Sequence, residues 1–367
     1  MRRILTFFKS EFVLIISAVA AIVSIIFVPV SASYISYIDF RVLVLLFCLM
    51  LVVAGFTENN VFSMFSQYLT SKAKSVRLLS LILVMITFFS SMFVTNDVAL
   101  ITFVPFTILT LCAAPEYIIY VIALQTIAAN LGSMLTPIGN PHNLYIYSYY
   151  NLSAKEFFKY TIPFVLLSFV IITLLSVCIK DKRFKVKYHE QLEIKNKKET
   201  IIYFILFLLC LASVFNLVHY LIVLGVVLVT FLILNKKLIR KVDYGLLFTF
   251  VCFFIFVGNI QQIPSISNWI SGLISGKELL STILISQVIS NVPAAVMLSK
   301  FTDNYKALII GTNIGSLGTF VASLASLISL KIYMRSENAK PLKYLGIFTI
   351  LNVSVLFVLL IFNSIIN

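Results

Sequence analysis

Apolar runs approaching or exceeding the roughly 20 residues that cross a hydrocarbon core recur from residue 12 to residue 366, separated by short polar or basic stretches. They predict crossings over residues 12–30, 40–56, 160–179, 200–216, 217–234, 244–258 and 344–366. Two further runs, 115–150 and 305–330, are apolar but broken by polar, glycine and proline residues. Runs 76–114 and 279–301 carry short polar breaks at Thr95-Asn96-Asp97 and Ser290-Asn291-Val292. Each of these reads either as a re-entrant hairpin with its polar tip near the midplane or as two full crossings. The hairpin keeps every basic loop on one side. About nine crossings and two hairpins result. Residues 58–75 place Val61, Phe62, Phe65 and Leu69 at helical spacing before Lys72 and Lys74, which suits a helix lying in the interface. Residues 261–276 hold the only tryptophan, Trp269, at an expected interface position.

The interruption at Asn130–Asn143, NLGSMLTPIGNPHN, organises the chain. Proline lacks a donor N–H and glycine loosens the backbone, so a helix should unwind here. Freed backbone groups at membrane depth survive only where protein or a water-filled cavity satisfies them. The signature returns as NIGSLGT over residues 313–319, again after a polar tip. Both halves run helix, helix, interfacial segment, hairpin, broken helix, helix, and Ile38-Asp39-Phe40 and Val242-Asp243-Tyr244 open corresponding helices. The extra helix at 200–216 would turn the second copy upside down. The expected fold is an all-α polytopic membrane protein with inverted-topology repeats, each holding a re-entrant hairpin and a broken transmembrane helix. Its parts are a first repeat over 1–180, a cytoplasmic basic loop and linker helix over 181–216, and a second repeat over 217–367.

Composition agrees: 60% of residues are hydrophobic and 11% charged, where soluble domains carry about a quarter charged residues. The formal charge of +14 lies mostly in short loops, the positive-inside pattern, and does not mark a nucleic-acid surface. Arg2, Arg3 and Lys9 put the N-terminus in the cytoplasm of a bacterial-type inner membrane, and the segment reads as a retained helix without a cleavage site. Lys180, Lys182, Arg183, Lys185, Lys187, Lys195, Lys197 and Lys198 form one cytoplasmic loop; Lys236, Lys237, Arg240 and Lys241 form another. Lys331, Arg335, Lys340 and Lys343 mark the cytoplasmic end of the second broken helix. The single cysteines Cys48, Cys112, Cys178, Cys210 and Cys252 show no metal or redox spacing and read as small core residues.

Candidate chemistry sits in the breaks. Hydroxyls, amides and free carbonyls at hairpin tips can coordinate Na⁺, and N–H donors there can hold carboxylates or oxyanions. Asp97 is the one acid well inside an apolar run, read as a cation ligand, a proton carrier or a helix cap. His142 beside the first break could carry protons or simply pack. Gln125 and Gln287 are polar within apolar helices, with their roles open. No basic residue lies in the breaks, so anion binding would rest on helix N-termini and bound cations. No nucleophile–base pair, zinc motif or phosphate loop appears, so no enzyme and no cofactor are expected beyond a coupling Na⁺ or H⁺.

The stretches VTNDVALITFVP, NLGSMLTPIGNPHNL, ISNVPAAVML and NIGSLGT resemble the ion-transporter superfamily, which includes divalent-anion/sodium symporters, citrate transporters and arsenite permeases. The resemblance covers nearly the whole chain. It implies a homodimeric secondary transporter of a small anion, such as citrate or an inorganic oxyanion, working by alternating access with Na⁺ or H⁺. Arsenite efflux or Na⁺/H⁺ antiport is the alternative, and a channel or transport-dead scaffold the different class. It places binding at Thr95, Asn96, Asp97, Asn130, Gly132, Thr136, Pro137, Gly139 and Asn140, and at Ser290, Asn291, Asn313, Gly315 and Thr319. Asn96, Asp97, Asn130, Asn291 and Asn313 are the candidate Na⁺ ligands. Dicarboxylate symporters of the superfamily carry Ser-Asn-Thr at both tips, where this chain has Asp97 and Val292 in third place, closer to the citrate and arsenite branches.

Overall fold

The computed structural model describes residues 12–183, 191–336 and 339–366, so Arg2, Arg3, Lys9, Lys185 and Lys187 lie outside the described residues. The first half runs α1 (Phe12–Phe27), α2 (Ser33–Tyr37), α3 (Phe40–Glu58), α4 (Val61–Thr70), α5 (Val76–Ser90), α6 (Asn96–Thr110), α7 (Pro115–Gly132), α8 (Pro141–Tyr149) and α9 (Ala154–Val177). The second runs α10 (Lys197–Val214), α11 (Tyr220–Leu234), α12 (Tyr244–Gln261), α13 (Pro264–Ile274), α14 (Glu278–Ile289), α15 (Asn291–Leu298), α16 (Tyr305–Ile314), α17 (Leu324–Met334) and α18 (Pro341–Ile366). The chain is an all-α polytopic membrane protein.

Both polar tips are helix–helix breaks. The 15-residue arms α5 and α6 reach only about 22 Å each, short of the roughly 30 Å hydrocarbon core, as re-entrant arms must. Among the described residues five helices, α3, α7, α9, α12 and α18, are each long and apolar enough to cross alone. The other crossings read from sequence fall on shorter helices or broken pairs, because the breaks cut continuous apolar runs into pieces. α13 and α14 meet at 111°, so the segment with Trp269 turns sharply into the second hairpin, and Trp269 is exposed.

Packing is reciprocal between the halves. α5 lies on α7 as α14 lies on α16; α12 lies on α1 as α11 lies on α3. Each hairpin's second arm crosses over: α6 packs on α17, and α15 on α8. The matching Asp residues do matching work, since Asp39 accepts from Val42 N (3.0 Å) and Asp243 from Leu246 N (2.9 Å) at the starts of α3 and α12. The second half of α7, Val121 to Gly132, is buried throughout, Gln125, Thr126 and Asn130 included. α18 instead exposes Ile350, Phe357, Ile361 and Ile365, side chains that suit lipid.

The connections sort onto two faces. On one, Glu58 pairs with Lys195 and Lys241, Lys182 with Glu116, and Arg77 Nε donates to Ile179 O (2.8 Å). On the other, Arg41 donates to Ser213 O and Val214 O (both 3.3 Å), and Gln261 to Lys300 O (3.4 Å). The described basic loops therefore share one face. Two side-chain expectations change. α4 turns Ser66, Gln67 and Thr70 inward and leaves Phe65 and Tyr68 exposed, because its polar edge finds partners in the protein. Cys48 and Cys210 are buried, but Cys112 and Cys178 are exposed at helix ends and are not core residues.

Candidate functional site

Asn96, Asp97, Ser290 and Asn291 line one cavity of about 230 Å³ together with Asn140 and Ser323. Four helices begin at this cavity: α6 at Asn96, α15 at Asn291, α8 just after Asn140 and α17 just after Ser323. None of the four receives a side-chain bond from its N-cap residue, a state they share with α2, α4, α7, α13 and α14. Each helix N-terminus carries about half a positive charge and unsatisfied N–H groups. Four of them give the floor a positive character, although the first two N–H groups of α6 and of α15 are already engaged.

The tips are pinned to the breaks by the same bonds in each half. Asn96 N donates to Gly139 O (3.1 Å) and Asn291 N to Ala322 O (2.9 Å). Each tip amide oxygen then accepts the next backbone N–H: Asp97 N to Asn96 (3.0 Å), Val292 N to Asn291 (2.9 Å). Thr136 donates to Met92 O and Thr319 to Gln287 O (3.0 Å), each holding the carbonyl four residues before its tip. The second tip is the tighter turn. Ser290 has φ +76° and ψ 156°, a region nearly reserved for glycine and costing about 1–3 kcal/mol.

Beyond the backbone the symmetry fails. Asn96 Nδ2 donates to Asn130 Oδ1 (3.0 Å), which also accepts from Ser323 Oγ (3.0 Å), while Asn130 Nδ2 reaches Ser316 O (3.5 Å). Asn313 exchanges bonds with Asn143 (2.7 and 3.3 Å), leaving Asn291 Nδ2 with no partner. Asn140 Nδ2 and Asp97 Oδ1 are likewise buried and unpartnered. Buried polar atoms are rarely left so, and here all three residues line the cavity.

The other expected residues stand behind the wall. Asn130 holds the lining residues Asn96 and Ser323, Asn313 holds Asn143 on α8, and Thr136 and Thr319 hold the tips. Gly132 and Gly139 permit contact: a Cβ would meet Phe88 O at 2.2 Å and Ser133 O at 2.3 Å respectively. At Gly315 a Cβ would lie 2.5 Å from Gly311 O. Pro137 is buried in the break, and Thr95 precedes α6 without contributing to the wall. His142 is fully buried in the first turn of α8. Gln125 ties α7 to α5 through Thr87 (2.9 Å).

Gln287 holds the second break open. Its amide donates to Gly315 O and Leu317 O (both 2.9 Å) and accepts from Thr319 N (2.8 Å). Gln287→Leu strands these three backbone groups, at about 1–3 kcal/mol for each that water cannot reach. The detergent-purified variant should melt well below the parent; an unchanged melting temperature would contradict this role.

Asp243, Thr249 and Lys331 also line the cavity, and sequence reasoning placed none of them there. Asp243 reads as a cap and Lys331 as one of a cytoplasmic cluster, and nothing in their spacing brings them together. A basic group thus reaches the site although none lies in the breaks. Both are exposed, so the cavity opens on the face of the basic loops. Toward the opposite face α8 packs on α15, where Tyr145 meets Ser299 (2.7 Å) and Tyr150 donates to Thr302 O (2.6 Å).

A family model described as citrate transporter matches residues 4–306. The chain belongs to the citrate transporter family. Within reach of this family assignment, an uncharacterized transporter of Methanocaldococcus jannaschii is 32% identical over 298 residues, 80% of this chain and 81% of its own. Inner membrane protein YbiR of Escherichia coli is 30% identical over 319 residues, 83% of each chain. A Dictyostelium discoideum protein carrying the transporter name arsB is 28% identical over 152 residues, 41% of this chain and 27% of its own. The protein is a membrane transporter of this type.

Proposed function

We propose that this citrate-transporter-family protein is a secondary active transporter of a small anion, coupled to Na⁺ or H⁺. The observation that carries the reading is the convergence of four helix N-termini on one cavity, with Asn140 and Asn291 offering unpartnered amide donors. Asp97 Oδ1, an unpartnered acceptor in the same floor, would take the coupling cation, with Asn96 beside it. The halves would be inverted repeats, 1–180 and 217–367, joined by the basic loop and linker helix of 181–216. Reciprocal packing supports this, and a cavity opening on the face of the basic loops suits alternating access. We place the N-terminus and basic loops in the cytoplasm of a bacterial-type inner membrane and the protein as a homodimer.

A second reading, Na⁺/H⁺ antiport around Asp97, is favoured by the same free carboxyl oxygen. Proteoliposome currents with a parallel pH-dye signal separate the two, using citrate, succinate, sulfate and arsenite with and without Na⁺ at two pH values. A cation-dependent response to an anion, lost in Asn96→Ala and Asn291→Ala, establishes the first. Na⁺-driven proton flux with no anion requirement establishes the antiporter.

Orientation has its own test in native residues. Cys112 and Cys178 are exposed near the basic face, at the ends of α6 and α9. A membrane-impermeant maleimide should label both from the cytoplasmic side of oriented vesicles and neither from outside. Labelling from outside would reverse the assignment.

A further inference from the structure

The cavity changes character between floor and mouth. Among the described residues its buried unpartnered side-chain atoms, Asn140 Nδ2, Asn291 Nδ2 and Asp97 Oδ1, belong to the floor. Above it the walls are Leu324, Leu327 and Ile328 from α17 facing Leu246 from α12 and Leu14 from α1. Asp243 and Lys331 stand at the mouth, eight residues of helix from Ser323 along α17, or about 12 Å. We propose that the transported anion has one negative end and an apolar body, and belongs to the organic monocarboxylates with a short branched or aromatic tail. This rests on the anion reading above and narrows it.

The floor offers donors for a single carboxylate. With Asp97 holding the coupling cation, the two free amides of Asn140 and Asn291 are the side-chain donors left for the anion, and a second carboxylate placed along the walls would lose its hydration against leucine and isoleucine side chains without a partner. Among the described residues Lys331 is the cation of the wall; it is exposed and shares the mouth with Asp243, which opposes its charge. At the second tip Val292 puts methyl groups where the first has Asp97. A hydrocarbon body gains from these walls in proportion to the area it buries. The volume of about 230 Å³ is below the roughly 300–1,000 Å³ of drug-sized sites and fits a body of a few carbons or one ring.

The test is competition for counterflow by the full chain in liposomes, with acetate, 3-methylbutanoate, benzoate, succinate, citrate and sulfate as probes. The expected result is half-maximal competition by 3-methylbutanoate or benzoate at about one-tenth the concentration needed for acetate, with the three polyvalent anions weaker still. Leu327→Asn should shrink the benzoate-over-acetate preference by about tenfold. Citrate, succinate or sulfate competing as well as benzoate overturns the inference and leaves the anion reading intact. So does a Lys331→Gln variant that loses polyvalent anions selectively, which would make Lys331 a second anchor. Failure of every anion to compete, in a protein that still exchanges Na⁺ for H⁺, overturns the anion reading itself.

Discussion

Asn291→Asp abolishes anion transport while leaving the empty protein as heat-stable as the parent. The amide oxygen of Asn291 already accepts from Val292 N at 2.9 Å, so the free end in the cavity is the nitrogen. Aspartate keeps that cap and replaces the donor with a second acceptor bearing charge. A hydrogen bond to a charged ligand is worth about 1.5–3 kcal/mol, so losing the donor alone weakens binding roughly 10- to 150-fold. The new carboxylate adds repulsion on top. Four helix N-termini nevertheless favour a negative charge at this point, so the carboxylate substitutes for the missing anion and the fold keeps its stability. Asn96→Asp is the contrasting case. Asn96 Nδ2 is the donor to Asn130 Oδ1, so the change sets two acceptors against each other and lowers the melting temperature. Counterflow and detergent melting curves on both variants check the pair. A clear drop in the melting temperature of Asn291→Asp would mean that its amide nitrogen is structural.

Gly132→Ala removes most folded protein from the membrane, although it adds one carbon. The new Cβ would stand 2.2 Å from Phe88 O and 2.5 Å from Ser91 Oγ, so α5 has to move away from α7. The first of these is backbone and cannot rotate aside. Overpacking a dense core costs about 1–3 kcal/mol, and a clash with a main-chain carbonyl lies at or beyond the upper end. The displacement also shifts the first hairpin tip, which α5 carries, away from Asn130 and Gly139. Gly346→Ala is the control, since a Cβ there meets nothing within 4 Å and a helix interior prefers alanine by about 1 kcal/mol. Size-exclusion profiles of the two variants, expressed alike, decide the matter. A monodisperse Gly132→Ala peak at parental yield would show that the hairpin has room to shift.

Much of the fold could be read from the chain because the membrane leaves few options. Apolar runs must become helices, and a polar break must lie against protein or water. That logic located both tips, both breaks and the paired Asp39 and Asp243 starts. It was less able to grade the residues within a break. Thr136, Thr319, Gly132 and Gly139 carry the same local signal as Asn140 and Asn291, yet the first four brace the site and the last two face the cavity. Ser323 passed unnoticed because it is one of three evenly spaced serines, with Ser326 and Ser329, and nothing in the run singles it out.

The sequence by itself determined that this is a helical membrane protein, that its polar interruptions come in matched pairs, and that its basic loops alternate with its spans. These properties follow from local chemistry: hydrophobicity along the chain, the missing donor of proline and the cost of bare backbone in lipid. Only the tertiary structure decided that the four helix starts meet in one cavity, that Asp243 and Lys331 share its wall, and that the cavity opens on the face of the basic loops. Those facts depend on how α1 packs on α12 and α6 on α17, contacts between residues more than 200 positions apart that no periodicity within either segment encodes.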